Sequence, residues 1–340
     1  MKSEITALSR LTRKLSAVKC NTIPLLKLSA MLIIFAGCQT KPQVYKPVIE
    51  GEWHNITSQP DLGEHTGKEQ QPVDFAVWQA ADGTWQLWSC IRFTNTAGNT
   101  RLFHRWEGKN LSDTLWQPMG IAMTADTTLG ETAGGLQAPF VFKENDTYYM
   151  FYGDWENICL GTSKDGKTFT RVLNEKGNAT LFTGPLYNTR DPMVIKEGNT
   201  YYCYYSAHNK EEKKTTEPQS AIFCRTSTNL KEWSEPVVVS SGGSAMKQSN
   251  WHGGDAECPF VVKVDNQYVL FRNQLYGQNN LNTQYCSPDL MNFGKNNDDF
   301  MVGQLNVAAP EIIKEGNQYY IVALKPSLDG MRIAKLTFKN

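Results

Sequence analysis

Short apolar runs alternate with turn residues along most of the chain, and they follow a repeated order. Each unit begins with a polar residue or alanine, usually followed by proline, and then has three apolar or aromatic residues and a lysine. A turn leads into a run that is rich in tyrosine. Four copies begin at Ala138, Asp191, Cys258 and Ala309, and a degenerate first copy begins at Asp74. A repeat of this kind predicts a propeller or another repeat architecture.

The turn inside each unit indicates a β-hairpin, because its residue types reach the positive φ of tight turns. The five turns are Asp82-Gly83, Asn145-Asp146, Gly198-Asn199, Asp265-Asn266 and Gly316-Asn317. The prolines at 139, 192, 259 and 310 are 53, 67 and 51 residues apart, with a long insertion at residues 208 to 220. This spacing suits one four-stranded blade for each unit.

We therefore predict an all-β chain, folded as a five-bladed β-propeller over residues 51–340. Helical periodicity is absent, since proline or glycine interrupts nearly every window of useful length. The last unit offers only three strands, ending with Met331 to Phe338. We expect the segment near Glu52 to Ile56 to supply the fourth strand and close the ring.

The N-terminal segment has the features of an export signal. Basic residues precede the apolar run Leu28 to Ala36, which is too short to span a bilayer as a stable helix. The run ends in Ala36-Gly37-Cys38, which resembles the lipobox of bacterial lipoproteins. The resemblance implies a signal peptide at residues 1–37, a lipid-modified Cys38 and a linker at 38–50. A conventional cleaved signal or a misplaced start codon would also produce such a segment.

The residue after that cysteine, Gln39, resembles the pattern that directs lipoproteins to an outer membrane. The predicted location is therefore the bacterial outer membrane, facing the periplasm or the cell surface, with the lipid anchor as the membrane contact.

Composition narrows the class of ligand. The chain has 34 Lys plus Arg and 34 Asp plus Glu, which leaves no surplus charge to attract nucleic acid. Its nine tryptophans and fourteen tyrosines can fill a core and still line a cleft for an uncharged sugar. The eight cysteines show no metal-binding spacing and are expected to be mostly buried apolar residues. We expect no required cofactor, and the sequence leaves open whether a structural calcium ion occupies the central channel.

The strongest candidate chemistry lies where the repeat units begin. The first strand of a propeller blade lines the central channel, so these five ring positions should surround one axis. Asp74 and Asp191 occupy two of them, and Glu257 lies one residue before a third. Each acid alone is explained by turn chemistry. Three acids converging from three blades instead indicate the paired carboxylates that break glycosidic bonds.

Two motifs extend this pattern to known families. Thr189-Arg190-Asp191-Pro192 and Ala256-Glu257-Cys258-Pro259 resemble the RDP and EC motifs of the five-bladed glycoside hydrolases of families 32 and 68. The blade pattern, with Leu136-Gln137-Ala138-Pro139 and Tyr148 to Tyr152, resembles family 43 and the related family 117. The resemblance covers roughly residues 70 to 338. It implies that Asp74 is nucleophile or general base, that Asp191 orients the acid and tunes its pKa, and that Glu257 is the general acid.

The chain also departs from family 32, which normally opens with an NDPNG-like stretch and appends a β-sandwich. Here the first motif is Pro72-Val73-Asp74-Phe75, and the chain stops after the propeller. We therefore favour an inverting hydrolase, like family 43 or 117, that acts on an extracellular oligo- or polysaccharide. The alternatives are a retaining fructosidase like family 32 and a surface propeller that binds glycans without turnover. Export disfavours a phosphorylase, because extracellular phosphate is scarce.

The loops after the second strands should rim the pocket, because those strands return to the face where the first strands begin. A sugar should therefore contact side chains from these loops and from the motifs. The predicted substrate-binding residues are Asp154, Trp155, Arg190, His208, His252 and Gln274. Trp155 could equally be a wedge between blades, and a lone histidine is often structural.

Overall fold

The computed structural model describes residues 43–213 and 216–340, so Cys38 and the predicted signal peptide lie outside the described residues. The strands, numbered along the chain, are β1 (Lys46–Asn55), β2 (Gln71–Gln79), β3 (Trp85–Arg92), β4 (Leu102–Gly108), β5 (Gln117–Met123), β6 (Gln137–Glu144), β7 (Thr147–Gly153), β8 (Asn157–Ser163), β9 (Thr170–Arg171), β10 (Thr180–Thr183), β11 (Tyr187–Glu197), β12 (Thr200–His208), β13 (Ser220–Ser227), β14 (Val237–Ser241), β15 (Glu257–Val264), β16 (Gln267–Leu275), β17 (Leu281–Ser287), β18 (Met301–Leu305), β19 (Glu311–Glu315), β20 (Gln318–Leu324) and β21 (Met331–Lys339). In these ranges one α-helix occurs, α1 (Gly243–Gln248), with short 3-10 turns at Gly63–His65, Thr127–Leu129 and Gly277–Asn279.

Five antiparallel sheets form the blades of a β-propeller, as the repeat predicted. Blade 1 contains β2 to β5, blade 3 contains β11 to β14, and blade 4 contains β15 to β18. Blade 2 is built from β6, β7, β8 and β10, and the two-residue strand β9 adds a fifth strand by pairing with β8.

Blade 5 closes the ring with strands from both ends of the described chain, in the order β1-β21-β20-β19. β1 pairs antiparallel with β21, from Lys46 opposite Lys339 to Asn55 opposite Arg332. The expected fourth strand is therefore present. It begins earlier than predicted, because residues 46–50, assigned to the linker, already pair with β21.

Aromatic side chains fill the space between blades. The tyrosine-rich second strands place Tyr152, Tyr204 and Tyr205 in fully buried positions. Trp233 packs edge-on against Phe151 of the neighbouring blade. The six cysteines of the described residues are all unpaired and five are buried, which matches their predicted role as apolar filling. The described part of the chain contains no helix long and apolar enough to cross a membrane.

The five ring positions share an unusual backbone conformation. Their φ angles are positive: Asp74 36°, Ala138 43°, Asp191 58°, Cys258 42° and Ala309 44°. In blades 1 to 4 the pairing of the first two strands shifts register at this point, which marks a β-bulge. All five residues line a water-sized cavity of about 20 Å³ where the blades meet. In these four blades the bulge therefore turns the ring residue toward the axis.

Candidate active site

A cavity of about 290 Å³ lies above the ring positions and contains Asp74 and Glu257 in its wall. Its rim is formed where the second strands end, as the strand order predicts. Arg92, Trp155, His208 and Tyr276 lie at or just after the ends of β3, β7, β12 and β16. The other lining residues are Arg101, Gln137, Tyr187, Asn188, Arg190 and Trp251.

Asp74 is held by two uncharged donors. The hydroxyl of Tyr276 donates to Asp74 Oδ1 at 2.9 Å, and the thiol of Cys258 donates to the same oxygen at 3.3 Å. Burial raises the pKa of both the Tyr276 hydroxyl and the Cys258 thiol well above their usual values. Both donors therefore stay protonated. Together they fix the orientation of the Asp74 carboxyl in the pocket.

Asp191 lies deeper, in the axial cavity that it shares with Asp74. Its Oδ2 accepts hydrogen bonds from the Ser206 hydroxyl at 2.5 Å and from the Cys258 backbone N–H at 3.0 Å. Burial raises the pKa of Asp191, and the adjacent Arg190 guanidinium opposes that rise. The side chain is thus fixed in place, with its charge close to the other two carboxyls.

Arg190 is the cation of this cluster, and only 3% of its side chain is exposed. Its Nη2 donates to Glu257 Oε1 at 2.9 Å, and its Nε lies 3.5 Å from Asp191 Oδ2. Two backbone carbonyl oxygens and His208 Nδ1 occupy the remaining donors. Arg190 lines the pocket, and its donors bind protein atoms, so that it clamps the Glu257 and Asp191 carboxyls.

Glu257 has the electrostatic setting of an acid. Burial raises its pKa to about 7, with a further rise from the charges of Asp191 and Asp74 and an opposing effect from Arg190. Its Oε1 accepts from Arg190, whereas Oε2 is buried and has no hydrogen-bond partner among the described residues. Near neutral pH the group is therefore partly protonated, with an oxygen left for a ligand.

Besides Arg190, two of the predicted substrate-binding residues line the pocket. Trp155 lines it, and its indole N–H donates to the Tyr187 hydroxyl at 2.8 Å. His208 also lines it and accepts a hydrogen bond from Arg190 at Nδ1. Burial and the neighbouring Arg190 charge lower the pKa of His208 to about 3. This imidazole is neutral at physiological pH and cannot serve as a proton donor of the His⁺ type.

Three other predicted residues do not line this pocket. The Asp154 carboxylate accepts from the backbone N–H groups of Glu156 and Asn157, so it closes the turn between β7 and β8. Gln274 is fully buried, because β16 continues through this position and extends further than expected. His252 lines a neighbouring cavity of about 260 Å³ on the other side of Trp251.

Sequence reasoning missed several residues that the structure brings to the site. Tyr276 could have been predicted from the repeat, since it follows the end of β16 as Trp155 follows the end of β7. Arg92 and Arg101 flank the equivalent loop of blade 1, where the degenerate repeat hid the correspondence. Ser206 and Trp251 carry no repeat signal. Within residues 43–213 and 216–340, no group of three or more His, Cys, Asp or Glu side chains is arranged to hold a metal ion.

Carboxyls from three blades of a five-bladed propeller meet near the axis, and two of them, Asp74 and Glu257, line the pocket. Paired carboxyls are the groups that cleave glycosidic bonds in most carbohydrate-cleaving enzymes. The sequence model of the family described as "Glycosyl hydrolases family 32 N-terminal domain" matches residues 82–323. The chain belongs to this family, and it is a glycoside hydrolase.

Solved structures show the same fold. A thermostable family-43 glycoside hydrolase aligns with a TM-score of 0.60 at 18% identity, covering 80% of this chain and 91% of that one. The endo-arabinase from Bacteroides thetaiotaomicron VPI-5482 aligns with a TM-score of 0.60 at 14% identity, covering 83% and 99%. CoXyl43, a family 43 β-xylosidase/α-arabinofuranosidase from a compost microbial metagenome, aligns with a TM-score of 0.57 at 14% identity, covering 85% and 96%. No curated protein sequence matches the chain.

The comparisons support the group of families that the motifs resembled. The matching sequence model is that of family 32, and a family 43 hydrolase shares the fold. The matched range begins at residue 82, so the opening motif around Asp74 lies outside it.

Proposed function

We propose that the chain hydrolyses glycosidic bonds of an extracellular oligo- or polysaccharide by acid/base catalysis between Glu257 and Asp74. The observation that carries this proposal is that both carboxyls line one pocket but have different surroundings. Glu257 is buried with its pKa raised to about 7. Asp74 accepts hydrogen bonds from two neutral donors. Such a pair can fill the two carboxyl roles of a glycosidase, with one as proton donor and the other as base or nucleophile.

In the proposed reaction, Glu257 Oε2 donates its proton to the glycosidic oxygen while the bond from that oxygen to the anomeric carbon breaks. Asp74 removes a proton from the water that attacks the anomeric carbon from the opposite face. Asp191 orients the acid through Arg190 and raises its pKa by charge. Two sugars are released, and the one attacked by water has the inverted configuration at its anomeric carbon.

A retaining route is the second candidate, and the family 32 match favours it. In that route Asp74 attacks the anomeric carbon directly, and water then hydrolyses the glycosyl-enzyme. Both carboxyls line one cavity of about 290 Å³, a volume that admits water molecules as the inverting route requires. Proton NMR of the first product formed distinguishes the routes. An inverting enzyme releases a sugar whose anomeric configuration is opposite to that of the substrate bond, and a retaining enzyme releases a sugar with the same configuration.

We also propose export and anchoring through Cys38, on the lipobox-like residues Ala36-Gly37-Cys38. Acyl chains on that cysteine would hold the protein at a membrane, with about 0.8 kcal/mol from each buried methylene. The wild-type protein should partition into detergent, and Cys38→Ser should stay in the aqueous phase. A wild-type protein that is exported and fully aqueous would contradict the anchor.

The hydrolytic activity is tested by reducing-sugar release from a panel of polysaccharides, including marine algal ones, with Asp74→Asn as the blank. We expect release by the wild-type protein on at least one polymer and none by the variant. If folded wild-type protein is retained by a polysaccharide gel but releases no reducing ends from any polymer, the chain is a glycan-binding propeller instead.

A further inference from the structure

Two arginines, Arg92 and Arg101, lie at the rim of the pocket. Neither forms an ion pair with any acidic group in the described part of the chain. Arg92 is the last residue of β3 and Arg101 directly precedes β4, one position beyond the last pair, Ile91 opposite Leu102. The two cations therefore stand at the two ends of one loop on the rim.

Both guanidinium groups are held by neutral partners. Arg92 donates from Nε and Nη2 to Gln71 Oε1 at 2.9 and 2.6 Å, and its Cζ lies 4.9 Å from the ring centroid of Phe93. Arg101 lies 5.0 Å from the Trp155 ring centroid, with a long contact of 3.9 Å to Cys90 Sγ. Aromatic rings and an amide orient these side chains without neutralising them.

The acids deeper in the pocket have a cation of their own. Arg190 contacts both Glu257 and Asp191. A third cation lies near the rim, since Lys210 Nζ is 5.6 Å from the centroid of Tyr187, another lining residue. Arg92, Arg101 and Lys210 therefore place three cations around the mouth of the pocket, although the whole chain has a net charge of zero.

We propose that Arg92 and Arg101 bind an anionic group of the sugar, a carboxylate or a sulfate ester, so that the enzyme acts on an anionic glycan. This inference rests on the proposed glycoside hydrolysis for turnover, but its binding part stands alone. Planar carboxylates and sulfate oxygens accept paired hydrogen bonds from guanidinium forks. It also revises the expectation of an uncharged ligand, which considered only the average charge.

The binding test is affinity electrophoresis in native gels that contain matched polysaccharides. Pectate is compared with methyl-esterified pectin for carboxylates, and carrageenan with agarose for sulfates. The proteins are wild type, the double variant Arg92→Gln/Arg101→Gln and the control Arg332→Gln. Arg332 also stacks on an indole, 4.2 Å from the Trp53 centroid, but it lies outside the pocket.

We expect one anionic polymer to retard the wild-type protein more than its neutral partner does. The double variant should lose about tenfold or more of that affinity, since charge-assisted hydrogen bonds are the stronger kind. Arg332→Gln should bind like the wild type, and added salt should weaken only the charged interaction. The polymer pair that responds separates carboxylate from sulfate. A cooperative unfolding transition of the double variant, with a melting temperature within a few degrees of that of the wild type, is the check on folding.

The kinetic arm measures reducing-sugar release from the same four polymers. A loss of kcat/KM on the anionic polymer, carried mostly by KM, supports the rim as a substrate site. Partial recovery in Arg92→Lys/Arg101→Lys, which keeps charge but loses the fork, supports it further. The inference is overturned if the wild-type protein binds no anionic polymer more tightly than its neutral partner, or if the double variant binds equally well. Selective binding with no turnover would instead contradict the hydrolytic function.

Discussion

Blades 2 and 3 differ at their ring positions in one respect that separates fold from function. Asp191 and Ala138 have the same left-handed backbone, with φ of 58° and 43°, and both lie at a bulge between the first two strands. One carries a carboxyl with three polar partners, and the other carries a methyl group. Ala309 repeats the methyl version in blade 5.

The positive φ is therefore a feature of the propeller repeat, whereas the side chain at that position determines whether the position takes part in the chemistry. Left-handed φ at a residue other than glycine costs about 1–2 kcal/mol, and such strain often marks a functional site. Here the same strain occurs in blades 2 and 5, which place only methyl groups at the axis. The positive φ of Asp74 and Asp191 therefore indicates their position in the repeat. Their contacts are what indicate catalysis.

The largest effect is expected from Asp74→Asn, which keeps the bulge and the size of the side chain but removes the carboxylate. The kcat should fall about a thousandfold or more, because the base or nucleophile is lost. The free energy of unfolding should change by less than about 1 kcal/mol, since the amide can still accept from Tyr276. Steady-state kinetics and urea unfolding measure the two quantities. Substantial residual turnover would show that another group activates the water.

Arg190→Gln should have the next largest effect, because it leaves buried carboxyls without their cation. Removal of one partner of a buried pair costs about 3–5 kcal/mol in the free energy of unfolding. The pKa of Glu257 should also rise, since Arg190 opposes its elevation. The matched control is Arg272→Gln, which removes a fully buried guanidinium bonded to Ser240 and a carbonyl oxygen. It should lose stability with the pH profile of activity unchanged. If Arg190→Gln and Arg272→Gln shifted the pH profile equally, the account that Arg190 specifically lowers the pKa of Glu257 would be contradicted.

Asp191→Ala converts the ring position of blade 3 into that of blade 2. The propeller should still form, but kcat at pH 7 should fall about a hundredfold. The charge of Asp191 raises the pKa of Glu257, so its removal lets Glu257 ionise at lower pH and moves the basic limb of the activity profile downward. Ser206→Ala, which removes a hydrogen bond to Asp191 and keeps its charge, is the control with the smaller shift. A basic limb that stays in place would contradict this coupling.

The smallest effect is expected where the ring position carries no chemistry. Ala138→Gly relieves the left-handed strain of about 1–2 kcal/mol, and glycine adds about 0.4–1 kcal/mol of entropy to the unfolded chain. The net result should be a gain of about 1 kcal/mol or less in the free energy of unfolding, with kcat/KM unchanged. Chemical denaturation measures it. A loss of more than about 2 kcal/mol would mean that the methyl group, and not the backbone, holds the bulge.

Much of the fold could be predicted from the sequence, because each blade repeats the same strand, turn and strand. The five ring positions and the closing strand from the N-terminal side followed from counting strands. The start of β1 at Lys46 did not, since Lys46 to Glu50 pair with β21 without the alternation of a half-buried strand. Pairing across the ring cannot be read from a local pattern.

The site was only partly predictable. Asp74 and Glu257 could be placed at one mouth because they lie in the repeated strand, where position along the sequence fixes position around the axis. The residues on the rim depend on where each second strand ends. Because β16 ends later than expected, Tyr276 lines the pocket and Gln274 does not. The lack of an ion-pair partner for Arg92 and Arg101 among the described residues depends on which side chains are neighbours in three dimensions. The average charge of the chain conceals it.

The assignment of Glu257 as the acid is the central claim, and Glu257→Gln tests it most directly when two leaving groups are compared. The wild-type protein should lose activity as pH rises through about 7, where Glu257 loses its proton. Glu257→Gln should abolish this limb and most activity on natural glycans, yet retain far more on aryl glycosides, whose leaving group needs little protonation. Asp74→Asn should be inactive on both. An equal loss on both substrates by folded Glu257→Gln, with the basic limb still present, would contradict the account.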